Sequence, residues 1–381
     1  MKVLILLRIL WTAGAQRIAV NEYRHLEKLG YDPKIVFLRA HTAKGYEDLL
    51  KGVNHEVVRE SGEGLLTPLF GLVTRLFSPD RGLESTVDLD LIRKFPDTIE
   101  KNKPDYIICH DQWAGLGGYY AKKKLDVPYS VFINERLSNY GVPLLGGLAT
   151  HYEHISLTNA LRVFAVTRKV ADTVDRKYGV KAYVNYPGMD KTGSSSTPYE
   201  EKENTLLSVS FWDRGRSVER YLEIISELED YRLLLVGNWR IAGYKAQILD
   251  KIKDMCLQQR IALREGVSEG ELLNLYQKSK FLLRFGFGEY GLATAVIEAM
   301  QNTLPVIIND ELGISDLIRE YGAGAVLSGT GASEVKGAIR AFDNLKSYKI
   351  LQANIERLRE IYSWKAHVIK LLSPLEQQNR I

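Results

Sequence analysis

Residues 281–310 read FLLRFGFGEYGLATAVIEAMQNTLPVIIND. The stretch opens on an apolar run, turns through glycines, continues at helical spacing and closes on a second apolar run. Glycines let a backbone approach phosphates closely, and a helix N-terminus attracts their charge. The segment therefore reads as a nucleotide site, and it fits two nucleotide chemistries. Gly286-Phe287-Gly288-Glu289-Tyr290-Gly291 spells G-x-G-x-x-G after one candidate strand, and Asp310 ends the next, where a dinucleotide fold keeps its ribose-binding acid. That spelling would suit an NAD-dependent oxidoreductase. Alternatively, Glu289 and Glu298 are paired carboxylates flanking a helix start, one for a sugar and one for a ribose.

Outward from this unit the same alternation recurs. Val3 to Leu10 is an apolar run suited to a strand buried on both faces, and Ala15 to Leu29 follows at helical spacing, closed by Gly30. Pro33–Leu38, Tyr106–Cys109, Tyr129–Ile133 and Val163–Val166 are further strands. A polar stretch, KTGSSSTPYEEKEN from Lys191 to Asn204, reads as a linker or exposed loop. Beyond it, strands at Leu206–Ser210, Arg232–Val236, Phe281–Phe285 and Pro305–Ile308 alternate with helices at Arg216–Leu228, Tyr244–Gln259, Glu269–Lys278 and Thr294–Asn302. The expected fold is α/β, two doubly wound Rossmann-like domains facing across a cleft. The boundaries drawn are 1–188, 189–358 and a C-terminal helix, 359–381, packing back on the first domain.

Composition narrows the classes. The 381 residues allow two sizeable cores, and 45% hydrophobic with 26% charged residues is ordinary for a globular chain. A net charge of +4 does not suggest a nucleic-acid binder. Cys109 and Cys256 stand far apart with no metal-ligand spacing, which fits a reducing compartment and no metal. MKVLILLRILW reads as a first buried strand rather than a signal peptide, and no apolar run is long enough to span a membrane. A cytoplasmic location is expected. Gly62–Leu83, GEGLLTPLFGLVTRLFSPDRGL, is either an amphipathic piece that lies on a membrane at its inner face or a core helix over the first sheet.

Five motifs bear on the chemistry. Trp11-Thr12-Ala13-Gly14-Ala15-Gln16-Arg17 is a small-residue turn before a helix, whose amides can face a phosphate. Pro128-Tyr129-Ser130-Val131-Phe132-Ile133-Asn134 ends on an amide, with His110 and Asp111 ending an earlier strand. Asn185-Tyr186-Pro187-Gly188-Met189-Asp190 makes a tight turn between the halves. Ser208-Val209-Ser210-Phe211-Trp212-Asp213-Arg214-Gly215-Arg216-Ser217 places two arginines at an expected helix start, against the helix dipole; a phosphate would relieve the conflict. The fifth is Glu289 with Glu298-Ala299-Met300.

Together these motifs resemble the retaining glycosyltransferases of GT-B architecture, of the family often numbered four, over nearly the whole chain. The resemblance implies transfer of a sugar from a nucleoside diphosphate sugar to an acceptor hydroxyl with retention, by a hexosyltransferase-type enzyme, in glycan, glycolipid or polysaccharide assembly. It implies a glycan or lipid-linked acceptor and neither cofactor nor metal. By the same resemblance Arg216, Arg214, Glu289, Asn134 and His110 are the catalytic candidates. Gly14, Ala15, Arg216, Gly237, Tyr290, Gly291, Leu292 and Glu298 are the donor-binding ones. The chain departs from the pattern at several places. Phe211 stands where the family has Arg, Arg216 where it has Lys, Asn134 where a His is frequent and Asp316 where Glu is usual. Glu289 lies nine rather than eight positions before Glu298, so that Tyr290 holds the family's position. Asp88-Leu89-Asp90 spells a metal-binding pair but opens a helical pattern, where Asp caps. Other readings are a nucleotide-sugar epimerase, a binding-only protein of the same architecture, or the oxidoreductase. In the last, Arg214, Arg216 and Glu298-Ala299-Met300 have no task.

Overall fold

A computed structural model describes residues 1–11, 14–40, 47–59, 89–137, 143–192 and 197–378. Two compact units form, Met1–Pro187 with Trp364–Ile381, and Gly188–Ser363.

The first unit is a parallel sheet with helical crossovers. Its elements are β1 (Lys2–Leu10), α1 (Gly14–Lys28), β2 (Asp32–Ala40), β3 (His55–Arg59), α2 (Leu89–Asn102), β4 (Tyr106–His110) and α3 (Gln112–Leu125). They continue as β5 (Tyr129–Ile133), α4 (Pro143–Thr158), β6 (Arg162–Ala165), α5 (Arg168–Tyr178) and β7 (Ala182–Val184). The strand order is β3-β2-β1-β4-β5-β6-β7. Central strands are apolar end to end because helices cover both faces: Val3 to Leu7 and Ile107 to Cys109 are buried throughout. Register sets Leu7 beside Phe37 on one side and His110 on the other. Asp111 then starts α3 at φ 84°, its Oδ1 accepting from the amides of Trp113 and Ala114, both at 2.8 Å.

The second unit repeats the plan. It holds β8 (Glu203–Val209), α6 (Val218–Ser226), β9 (Arg232–Val236), α7 (Ala242–Asp254), β10 (Ile261–Arg264) and α8 (Glu269–Lys278). It continues with β11 (Ser279–Arg284), α9 (Thr294–Gln301), β12 (Val306–Asn309), α10 (Ser315–Tyr321), β13 (Gly324–Leu327), α11 (Ala332–Phe342) and α12 (Leu345–Ile361). Its order is β10-β9-β8-β11-β12-β13. In both sheets the chain winds outward from the centre, returns, and winds the other way. The reversal falls between β1 and β4, and between β8 and β11. Ligands of such sheets bind beyond the carboxyl ends of the strands at that reversal.

A last helix, α13 (Trp364–Gln378), belongs to the first unit and packs on α1. The Trp364 ring stacks on His25 at 6.0 Å, and the Tyr106 hydroxyl donates to the Leu371 carbonyl at 3.2 Å.

One expected element is corrected. The helix anticipated from Arg216 begins at Val218. Arg214–Arg216 is a 3₁₀ turn, closed by Ser217 in the left-handed conformation at φ 46°. The arginines are therefore not in the first turn of a helix, and no dipole conflict exists there. Gly62–Leu83, with its membrane-facing alternative, lies outside the described residues.

Candidate functional site

The reversal between β8 and β11 brings Arg216 and Glu289 together. Beyond β8 the chain runs close to the end of β9. Gly237 has φ 122°, and a Cβ there would lie 1.9 Å from the Ser210 carbonyl oxygen. Only glycine allows this approach. Gly237 thereby shapes the loop after β8 from behind. Trp212, fully buried, donates its Nε1 hydrogen to the Val236 carbonyl at 3.1 Å and anchors the same loop. The 3₁₀ turn that follows holds Arg214 and Arg216. Arg214 donates to Gln247 at 3.0 Å and lies over the Tyr244 ring. Arg216 reaches Glu289, its Nη1 donating to Oε2 at 2.5 Å.

Glu289 lies in the loop from β11 to α9, which is pinned to the end of β12. The Asn309 side chain accepts from the Gly286 amide and donates to the Gly286 carbonyl, each at 2.8 Å. Gly288 is left-handed at φ 67°, and its amide donates to Glu311 at 2.8 Å. The Gly313 amide donates to the Glu289 carbonyl at 2.9 Å. So held, the Glu289 carboxylate takes two guanidinium groups on one oxygen. Besides Arg216, Arg284 donates its Nη2 hydrogen to Oε2 at 2.7 Å. Arg284 ends β11 with a side chain only 4% exposed, and its Nη1 donates to the Phe285 carbonyl. The displacement of Glu289 by one position thus has a counterpart in space, two arginines from neighbouring strand ends.

Tyr290, Gly291 and Leu292 follow, half-buried, and α9 starts at Thr294. Its N-cap, Ala293, offers no side-chain oxygen, and its first turn holds no acidic residue. Such a terminus presents backbone N–H groups to an anion. Glu298 stands one turn further, half-buried, and accepts the Tyr276 hydroxyl on Oε2 at 2.7 Å. The G-x-G-x-x-G does not assemble as a dinucleotide fingerprint. Gly291 falls before the helix instead of inside its first turn, and Gly286 faces Leu312.

The remaining candidates are in the first unit. Gly14 and Ala15 are the opening residues of α1. His110 is 2% exposed at the end of β4, and both ring nitrogens are engaged. Nε2 lies 2.7 Å from Glu22 Oε2, and Nδ1 lies 3.4 Å from the half-buried Asn134 side-chain nitrogen. Glu22 projects from α1, and its other oxygen lies 2.8 Å from His367 Nε2, on α13. His367 Nδ1 lies 2.9 Å from the Tyr186 carbonyl. Burial raises the Glu22 carboxyl, but His110 and His367 outweigh it and hold the group down at about 2.

Arg284, Glu22 and His367 were not singled out from sequence, although two carried a signal. Arg284 interrupts the apolar run from Phe281 to Phe285, and Glu22 sits on the apolar stripe of α1 between Ile18 and Leu26, where charge is rarely kept without a partner. Among the described residues, no three His, Cys, Asp or Glu are grouped to hold a metal, and no helix is long and apolar enough to cross a membrane. Asp88 is outside them, and Asp90 falls in α2.

Family comparisons match residues 13–184 to a glycosyl transferase 4-like domain and residues 191–357 to glycosyl transferases group 1. A comparison with curated proteins gives no match. Among solved structures, HepE of Anabaena, in complex with UDP and glucose, is similar with a TM-score of 0.73 at 15% identity, over 100% of this chain and 99% of that one. Sucrose-phosphate synthase of Thermosynechococcus elongatus gives 0.74 at 14%, over 100% and 99%. The lipopolysaccharide outer core galactosyltransferase WaaB gives 0.70 at 15%, over 99% and 100%. At such identities the likeness is one of fold.

Proposed function

We propose that this chain, which belongs to the GT-B glycosyltransferases built from a glycosyl transferase 4-like domain and a group 1 domain, moves a sugar from a nucleoside diphosphate sugar to an acceptor hydroxyl with retention of configuration. The observation that carries the reading is the meeting of Arg216 and Glu289 across the β8/β11 reversal, beside the uncapped start of α9. The donor diphosphate lies between the arginine and the helix amides, where positive charge and N–H donors converge. Glu298, steadied by Tyr276, accepts ribose hydroxyls, and Glu289 accepts hydroxyls of the sugar. Catalysis is electrostatic: Arg216 and the α9 amides stabilise charge as the diphosphate leaves, and a leaving phosphate oxygen takes the acceptor proton. Arg214, although turned toward Gln247, is one residue from Arg216's neighbour Gly215 and adds to the same field. In the first unit, Gly14 and Ala15 open α1, where backbone amides suit a phosphate, and His110 and Asn134 stand at the ends of β4 and β5. The acceptor is a glycan or a lipid-linked glycan.

The test is a panel of UDP-, GDP- and ADP-sugars, begun with UDP-hexoses because HepE holds UDP and glucose. Turnover or donor hydrolysis with one of them is expected; none with any sinks the enzyme reading. Arg216→Gln should weaken nucleoside diphosphate binding at least tenfold, since a charge-assisted contact contributes roughly 1.5–3 kcal/mol.

A further inference from the structure

Arg284 has no place in the reading above, yet it is the most buried cation at the site. A guanidinium so enclosed needs a compensating anion, and the Glu289 carboxylate is the one it has. Glu289 in turn neutralises Arg216, the residue meant for the diphosphate. These two demands on Glu289 conflict in an ordinary ion pair. If Glu289 had Arg216 alone, drawing Arg216 onto a phosphate would leave a half-buried carboxylate uncompensated. With Arg284 on the same Oε2, it does not. The trio carries two guanidinium groups and one carboxylate, hence a net charge of +1, and the side chain of Arg216 is 25% exposed against 4% for Arg284. The exposed member is the one free to move.

We propose that Arg284 is a positioning residue: it serves as the permanent counter-ion of Glu289, so that Arg216 can pass from the carboxylate to the donor diphosphate while Glu289 stays in place. Glu289 Oε1 is left for a sugar hydroxyl. This rests on the donor-site reading. It adds that the buried strand-end arginine sets how readily Arg216 is released.

The experiment is a double-mutant cycle read by nucleoside diphosphate binding, using whichever of UDP, GDP and ADP binds the native chain. Arg284→Gln should weaken binding at least tenfold, because Glu289 then has only Arg216 and the trio falls from +1 to neutral. Adding Glu289→Gln to that variant should restore binding to within about threefold of native, since Arg216 is free again, while sugar transfer stays lost. A merely structural Arg284 gives no such rescue. Arg284→Lys keeps the charge and should bind within about threefold of native. Native-like binding by Arg284→Gln, or no recovery in the double variant, overturns the proposal. If Arg284→Gln does not fold, Glu289→Gln alone decides: binding at least as tight as native supports the release of Arg216, and weaker binding overturns it. Arg216→Gln separates the two levels. Unchanged binding there removes the donor-site reading itself. A loss there, without the Arg284 effect, removes only the role of Arg284.

Discussion

Glu289 and Gly237 show how single residues acquire meaning from their neighbours. Counted along the chain, Glu289 is one position out of step with Glu298, a departure from the expected pairing. In space it is the acceptor for two arginines that are 68 residues apart in sequence, from positions 216 and 284. No spacing rule links them, because the link runs across strand ends. Gly237 shows the reverse case, a residue whose role is steric. An added methyl would meet a backbone oxygen that cannot rotate away, at a φ that L side chains rarely adopt. Gly237→Ala should destabilise the second unit by on the order of 3 kcal/mol, combining left-handed strain with the clash. Urea unfolding checks this, and donor affinity should fall in parallel because the loop carrying Arg216 must shift. Native stability with native affinity would show that the loop accommodates the methyl group.

At the scale of elements, the sequence was most legible where strands are buried on both faces. The nine strands placed from apolar runs above are all found, with ends shifted by a few residues, Val163–Val166 as Arg162–Ala165. The four that the apolar runs did not reveal are β3, β7, β10 and β13. They are the four edge strands of the two sheets. An edge strand has solvent on one side, so it is short and mixed in polarity and lacks the continuous apolar run that marks a central one. The network joining α1, β4 and α13 was equally hidden, since its members are 88 and 345 residues apart. It carries a pH dependence. The Glu22 carboxyl is lowered from 4.5 to about 2 in the folded chain. Its stabilising contribution is therefore complete above the ordinary carboxylate value and is lost as pH falls from about 4.5 towards 2. Glu22→Gln should cost about 3 kcal/mol at neutral pH, and the difference between native and variant stabilities should shrink over that acid range. Chemical denaturation at a series of pH values measures it; a constant difference down to pH 2 would show that Glu22 is not held ionised.

For the whole molecule, the last helix is the decisive piece. The chain leaves the second unit at Ser363 and contributes α13 to the first. There Val368, Leu371 and Leu372 are buried, and His367 closes the Glu22 network. Truncation after Ser363 removes three buried aliphatic side chains, about 5 kcal/mol or more at roughly 1.5–3 kcal/mol each. That is comparable to the 5–15 kcal/mol stability of a typical domain. The first unit should therefore lose amide protection in hydrogen exchange, while the second, whose sheet and core lie within Gly188–Ser363, keeps its own. Protection retained in both would deny α13 this role. Hydrophobic periodicity and turn residues are local, and they were enough to specify two parallel α/β sheets, the glycine loop after β11 and the glutamate of α9. Charge pairing acts through space between groups that meet only once the strands are ordered. Which arginine faces Glu289, that Arg284 is buried beside it, and that His110 answers to Glu22 and not to solvent were settled by the β8/β11 and β1/β4 neighbourhoods of the folded sheets.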